Sequence, residues 1–175
     1  MEDLQEIALA LSTTSLSEGA QSFVQHGRRI EKEVRCFDFV PSNYEQAWRT
    51  LDSLPRGRFC EWGSGLGIVT GLAEMLGFEA CGIEADFDLC QRSRELLEVH
   101  GLKASIIQGD YFQSETRADI YYVYCWPSIL QLTEELFGKI AEADSMLLIC
   151  YGQDDIRGRR IPPRNAVGKG NAGSR

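Results

Sequence analysis

The clearest chemical signal is a glycine loop flanked by acids. The run Phe59-Cys60-Glu61-Trp62-Gly63-Ser64-Gly65-Leu66-Gly67 puts glycine at every second position, where a strand should turn into a helix. Glycine tolerates such a turn and lets backbone approach a ligand with no Cβ in between. Glu61 stands just before the loop. Glu84 ends the next apolar run, 21 positions after Gly63, and Asp110 follows the run after that, in Ile106-Ile107-Gln108-Gly109-Asp110. An acid about 20 residues past the first glycine suits ribose hydroxyls. Carboxylates at three successive strand ends suit a ligand that carries hydroxyls, amines and a positive centre. A glycine turn or a single acid would be explained by structure alone, but the combination points to a ligand.

The same segment excludes other ligands. A dinucleotide fingerprint, G-x-G-x-x-G, needs glycine at position 68, where Ile68 stands, and no Gly-Lys-Ser/Thr phosphate loop occurs. No Lys or Arg lies between Phe59 and Glu84 to meet a phosphate. A nicotinamide-dependent oxidoreductase is therefore disfavoured.

The elements that must position these residues alternate along the chain. Strands are expected at 58–62, 79–84, 104–108, 120–125 and 145–151, with helices at 66–76, 87–100 and 128–141. Such alternation predicts an α/β fold with a mainly parallel sheet of about five strands. Ahead of it, residues 2–11 read as a short helix. Ser17 can cap a helix running to about Arg35. Ser42-x-x-Glu45 has the form of a capping box for a helix from Asn43 to about Leu54. Three regions follow: an N-terminal helical extension over 1–54 packing on the core, the ligand-binding core over 55–152, and a basic tail over 153–175.

Composition bounds the rest. The chain has 175 residues and a formal net charge of −8, enough for one domain with its own core. Six basic residues and no acid fall in 156–175, leaving 12 basic against 26 acidic residues elsewhere. An acidic body is a poor general nucleic-acid binder; the tail could touch nucleic acid or an acidic partner, but is expected to be disordered. No apolar run is long enough to span a bilayer. The acidic start, Glu2-Asp3, is unlike a secretory signal. Six scattered cysteines form no C-x-x-C pair, so no metal site is expected. Reduced cysteines acting as small hydrophobes fit a cytoplasmic protein. His26 and His100 are expected to be structural.

From about 58 to 151 the chain resembles the core of class I S-adenosylmethionine-dependent methyltransferases. Their pattern, D/E-x-G-x-G-x-G after the first strand, is matched by Glu61 to Gly67 at every specified position. The resemblance implies a Rossmann-like fold and S-adenosylmethionine as cofactor, with S-adenosylhomocysteine as product. Glu61 and the backbone of Gly63, Ser64, Gly65 and Gly67 would hold the methionine end. Glu84 would take the ribose hydroxyls, Ala85 and Asp86 would lie beside the adenine, and Asp110 would take its amino group with Tyr111 nearby. Val40-Pro41-Ser42 is also similar to a segment ahead of the glycine loop in some small protein-lysine methyltransferases of this class. The family's sheet has seven strands, the last two antiparallel, and 152–175 offers no two apolar strands, so a shortened C-terminus is expected.

In that family the acceptor lies at the end of the fourth strand, here Tyr124-Cys125-Trp126-Pro127. Tyr124, Trp126 and Pro127 occupy the place of an N-P-P-Y motif without spelling it. Aromatic walls hold alkylammonium groups by cation–π attraction, which favours an amine-type acceptor, a protein lysine or a small molecule. The expected activity is methyl transfer to such an amine. The competing expectation is a protein that binds the cofactor without catalysis.

Overall fold

The computed structural model describes residues 4–36, 39–152 and 155–162. The chain enters through β1 (Gln5–Ile7), then two helices, α1 (Glu18–Glu31) and α2 (Tyr44–Asp52). Ser17 caps α1, its side chain accepting from the N–H of Ala20. The cap of α2 is Asn43, which accepts from the N–H of Gln46, one residue later than the expected box on Ser42.

The alternating region follows the expected order. It comprises β2 (Arg58–Trp62), α3 (Ile68–Met75), β3 (Glu79–Glu84), α4 (Phe87–Val99), β4 (Ser105–Gln108), β5 (Ile120–Tyr124), α5 (Leu130–Ile140) and β6 (Met146–Tyr151). These five strands pair in parallel in the order β6-β5-β2-β3-β4. Side chains along β2 alternate between two cores: Phe59 joins a cluster with α1 to α4, while Cys60 and Trp62 join one with α5. Among the described helices α5 alone packs on the second face, and Ile107 on β4 is left 42% exposed.

Two expectations are corrected. Among the described residues the sheet has seven strands, not five, in the order β1-β7-β6-β5-β2-β3-β4. The sixth comes from the region read as disordered tail: β7 (Asp155–Arg160) runs antiparallel to β6. The seventh comes from the segment 2–11 read as a helix, where β1 pairs antiparallel with β7, Glu6 opposite Arg159. Glu6 and Arg159 are thus cross-strand partners of opposite charge. Arg159 is 3.0 Å from Glu6 and 3.3 Å from Glu134, and its own side chain is only 14% exposed. Residues 163–175, including Arg164, Lys169 and Arg175, lie outside the described residues. No helix among the described residues is long and apolar enough to cross a membrane.

Candidate functional site

The loop after β2 is built by its glycines. Gly63, Gly65 and Gly67 have φ of 68°, 54° and 66°, in the left-handed region that other L-residues rarely adopt. The turn leaves β2 sharply: the N–H groups of Gly63 and Ser64 both donate to the carbonyl of Ile83 on β3, at 2.9 Å. A Cβ on Gly65 would come within 2.7 Å of Phe39, and one on Gly67 within 2.2 Å of the Ser93 hydroxyl. At Gly63 a Cβ would meet nothing within 4 Å.

Two glutamates secure this loop. Glu84, ending β3, accepts the N–H of Gly65 at 2.7 Å and that of Asp86 at 2.8 Å, one on each carboxylate oxygen. Asp86 in turn caps α4 by accepting from the N–H of Leu89. Glu61 is buried, and one of its oxygens accepts from both the N–H and the hydroxyl of Thr70 on α3, at 2.8 and 2.5 Å. Burial pushes its carboxyl up to about 8; the Thr70 bonds oppose that rise and the neighbouring Glu84 adds to it.

These groups border a cavity of about 390 Å³ at the carboxyl ends of the parallel strands, where open α/β sheets bind their ligands. Of the sequence-derived cofactor residues, Glu61, Gly63, Ser64, Gly65, Glu84 and Tyr111 line it. Gly67, Ala85 and Asp110 do not. Gly67 opens α3 behind the loop, Ala85 is exposed, and Asp110 caps the short turn Tyr111–Gln113 by accepting from the N–H of Phe112. Tyr111 stacks flat on Trp62, ring centres 5.4 Å apart and 7° from parallel. Of the acceptor-side residues, Tyr124 and Trp126 line the cavity, their rings edge to face at 5.8 Å. Trp126 has the extended backbone expected before proline and is 45% exposed. Pro127 begins the turn behind it, off the wall.

Sequence reasoning missed part of the opposite wall. Phe39 and Tyr44 close the cavity from the N-terminal side, together with Val40-Pro41-Ser42, the segment similar to one in small protein-lysine methyltransferases. The hydroxyl of Tyr44 donates to Glu31 on α1, and the guanidinium of Arg28 lies 6.0 Å from its ring. Among the described residues no Lys, Arg or His lines the cavity. His26 and His100 pair with each other at 3.1 Å, off the cavity wall, with burial as the main cause holding His100 below the usual histidine range. All six cysteines are free thiols, four of them buried. No cluster of three or more metal-ligating side chains occurs among the described residues.

No family model and no curated protein matches this chain. Solved structures do. It is similar to the S-adenosylhomocysteine-bound methyltransferase PaMTH1 of Podospora anserina, with a TM-score of 0.65 and 15% identity over 78% of this chain and 63% of that one. It is similar to an RNA methyltransferase of Salinibacter ruber, crystallised with S-adenosylhomocysteine, with a TM-score of 0.52 and 20% identity over 58% of this chain and 76% of that one. A third is a S-adenosylmethionine-dependent methyltransferase of Thiobacillus denitrificans in complex with S-adenosylhomocysteine, with a TM-score of 0.52 and 21% identity over 71% and 54% of the two chains. The chain thus spans less than two thirds of the Podospora and Thiobacillus proteins. At these identities the likeness is one of fold: the chain has the Rossmann-like fold of class I methyltransferases.

Proposed function

We propose that this protein binds S-adenosylmethionine and transfers its methyl group to an amine. The observation that carries the reading is the cavity itself. A left-handed glycine loop, anchored by Glu84, borders a space lined by the carboxyls of Glu61 and Glu84 and, among the described residues, by no Lys, Arg or His. That wall suits a ligand with a sulfonium, an ammonium and ribose hydroxyls, and it suits a phosphate poorly. In this reading Glu61 and the backbone of Gly63, Ser64 and Gly65 receive the methionine end, with Gly67 shaping the turn behind them. Glu84 receives the ribose, and Ala85, Asp110 and Tyr111 border the adenine.

Transfer needs little from the protein beyond alignment. The acceptor's ammonium first gives a proton to solvent. The amine lone pair then attacks the methyl carbon, the carbon–sulfur bond breaks, and sulfur keeps the electron pair, leaving a methylammonium and a neutral thioether. Holding the reactants in line and dry supplies most of the acceleration. Tyr124 and Trp126, with Pro127 fixing the backbone behind them, form the acceptor opening, where aromatic faces favour an alkylammonium. The acceptor is a protein lysine or a small amine. Free thiols at all six cysteines support a reducing, cytoplasmic setting.

The reading is tested by incubating the pure protein with radiolabelled S-adenosylmethionine and fractionated cell extract. Label is expected in an amine-bearing product, with equimolar S-adenosylhomocysteine. Cofactor binding without any S-adenosylhomocysteine would instead favour a non-catalytic binding protein.

A further inference from the structure

The carboxyl of Glu61 sits in an unusual position for an acid meant to meet a cation. It is 5% exposed, and no ion pair to it is found among the described residues. The titratable groups that act on it among the described residues are Glu84 at the end of β3, Tyr44 on α2, Tyr122 on β5 and Cys60 beside it on β2, none of them a base. On α3 its hydrogen-bond partner is Thr70, which offers one N–H and one hydroxyl, both to the same oxygen. Glu84, by contrast, accepts a backbone N–H on each of its two oxygens. Two carboxyls on one cavity wall, with no cation lining it among the described residues, disfavour a second negative charge, and the buried member is the one that yields.

We propose that the cavity exchanges a proton for its ligand's positive charge at Glu61: the carboxyl is neutral in the empty protein and ionises when a cationic ligand seats. The inference rests on the reading of the cavity as a S-adenosylmethionine site and adds to it a property of this side chain. The proton leaves Glu61 for solvent, and the ligand's cationic group takes its place as the counter-charge, so the net charge of the buried site is unchanged by binding. Burial, which pushes the Glu61 carboxyl up to about 8 in the empty protein, supports the neutral starting state. A consequence is selectivity: a cationic ligand draws the proton off, whereas an uncharged nucleoside thioether such as methylthioadenosine meets a neutral acid and leaves it so.

The test is calorimetric titration of the whole protein with S-adenosylmethionine, S-adenosylhomocysteine and methylthioadenosine at pH 6.5, in buffers of different ionisation enthalpy. The dependence of the observed heat on the buffer gives the protons exchanged. Close to one proton released is expected for S-adenosylmethionine, and none for methylthioadenosine. Affinity of the wild type for S-adenosylmethionine should tighten by up to about tenfold for each unit that pH rises, over the range below neutrality. Glu61→Gln should bind more weakly and release no proton. Should that variant fail to fold, infrared difference spectra of the wild type give a second readout, because the carbonyl band of a protonated carboxyl should vanish on binding. Binding without proton release, or unchanged release in Glu61→Gln, overturns the exchange alone. Absence of binding by the wild type overturns the cofactor reading with it.

Discussion

One oxygen of Glu84 accepts the backbone N–H of Gly65 at 2.7 Å, and the other accepts that of Asp86 at 2.8 Å. A single side chain thereby ties the end of β3 to the glycine loop after β2 and to the start of α4. The loop's shape is held by an acid that also lines the cavity. Each carboxylate oxygen has lone pairs beyond the one it uses here, so Glu84 can keep the loop in place while receiving ribose hydroxyls.

Replacing Glu84 should therefore act on the ligand twice, through the lost acceptors and through a loosened loop. Glu84→Ala is expected to weaken S-adenosylmethionine binding by about 1.5–3 kcal/mol, the range of a hydrogen bond to a charged group. Far-UV circular dichroism should stay unchanged. Calorimetric titration checks the first and a spectrum the second; equal affinity would leave Glu84 with a structural role alone.

The pairing of β1 with β7 makes a prediction about stability. Arg159→Ala removes contacts with Glu6 and Glu134 and the packing of its stem, which should cost about 1–2 kcal/mol. Truncation after Gly152 should do far more. It strips β6 of its antiparallel neighbour and leaves β1 without a partner. Thermal unfolding should then be broad and begin at lower temperature. An unchanged melting temperature on truncation would mean that β7 adds nothing to the domain.

Trp126 stands at the cavity mouth, nearly half exposed and edge to face with Tyr124. Trp126→Ala should lower methyl transfer strongly while keeping cofactor affinity within about tenfold, roughly 1.4 kcal/mol. Steady-state turnover and calorimetry together check this. Full turnover with lowered thermal stability would make Trp126 a packing residue and move the acceptor site elsewhere.

Glu61 gives the empty protein a pH dependence of its own. Its folded carboxyl titrates near 8, above the ordinary value of 4.5, so between those values the native state holds a proton that the unfolded chain has lost. Stability contributed by this group is therefore full below the ordinary carboxyl range and falls as pH rises toward 8. The difference in melting temperature between wild type and Glu61→Gln should grow in favour of the variant from pH 5 to pH 8. A difference that is flat across that range would show that Glu61 ionises normally.

Much of this was legible in the sequence because its signals are local. The bounds of β2 follow from a short run between Gly57 and Gly63, those of β3 from one that starts after Gly77 and ends on Glu84, and the Glu61–Gly67 pattern names the loop outright. What escaped depends on partners far along the chain. β7 reads as polar because Arg157, Arg159 and Arg160 dominate it, yet it pairs once Arg159 meets Glu6 and Glu134 and the bare backbone of Gly158 admits Ile7. A Cβ at Gly158 would lie 2.5 Å from the Ile7 side chain. β1 has three residues, too few for any period to show. Phe39 gives no sign in sequence that its ring will cover Gly65. Gly67, Asp110 and Pro127 stand where the family pattern puts them in sequence, but the first packs behind the loop and the other two start turns behind or beside the cavity.

The central claim is that the glycine loop forms a S-adenosylmethionine site, and Gly65→Val tests it most directly. Valine there faces both a left-handed backbone, φ 54°, and the ring of Phe39 within 2.7 Å of its Cβ. Gly77→Ala is the control: it has a left-handed φ of 93° but open space around its Cβ, and it lies off the cavity wall. Calorimetric titration with S-adenosylmethionine should show one site per wild-type chain, affinity at least tenfold weaker or lost in Gly65→Val, and affinity unchanged in Gly77→Ala. Equal affinity in wild type and Gly65→Val, or no binding by the wild type, would contradict the account.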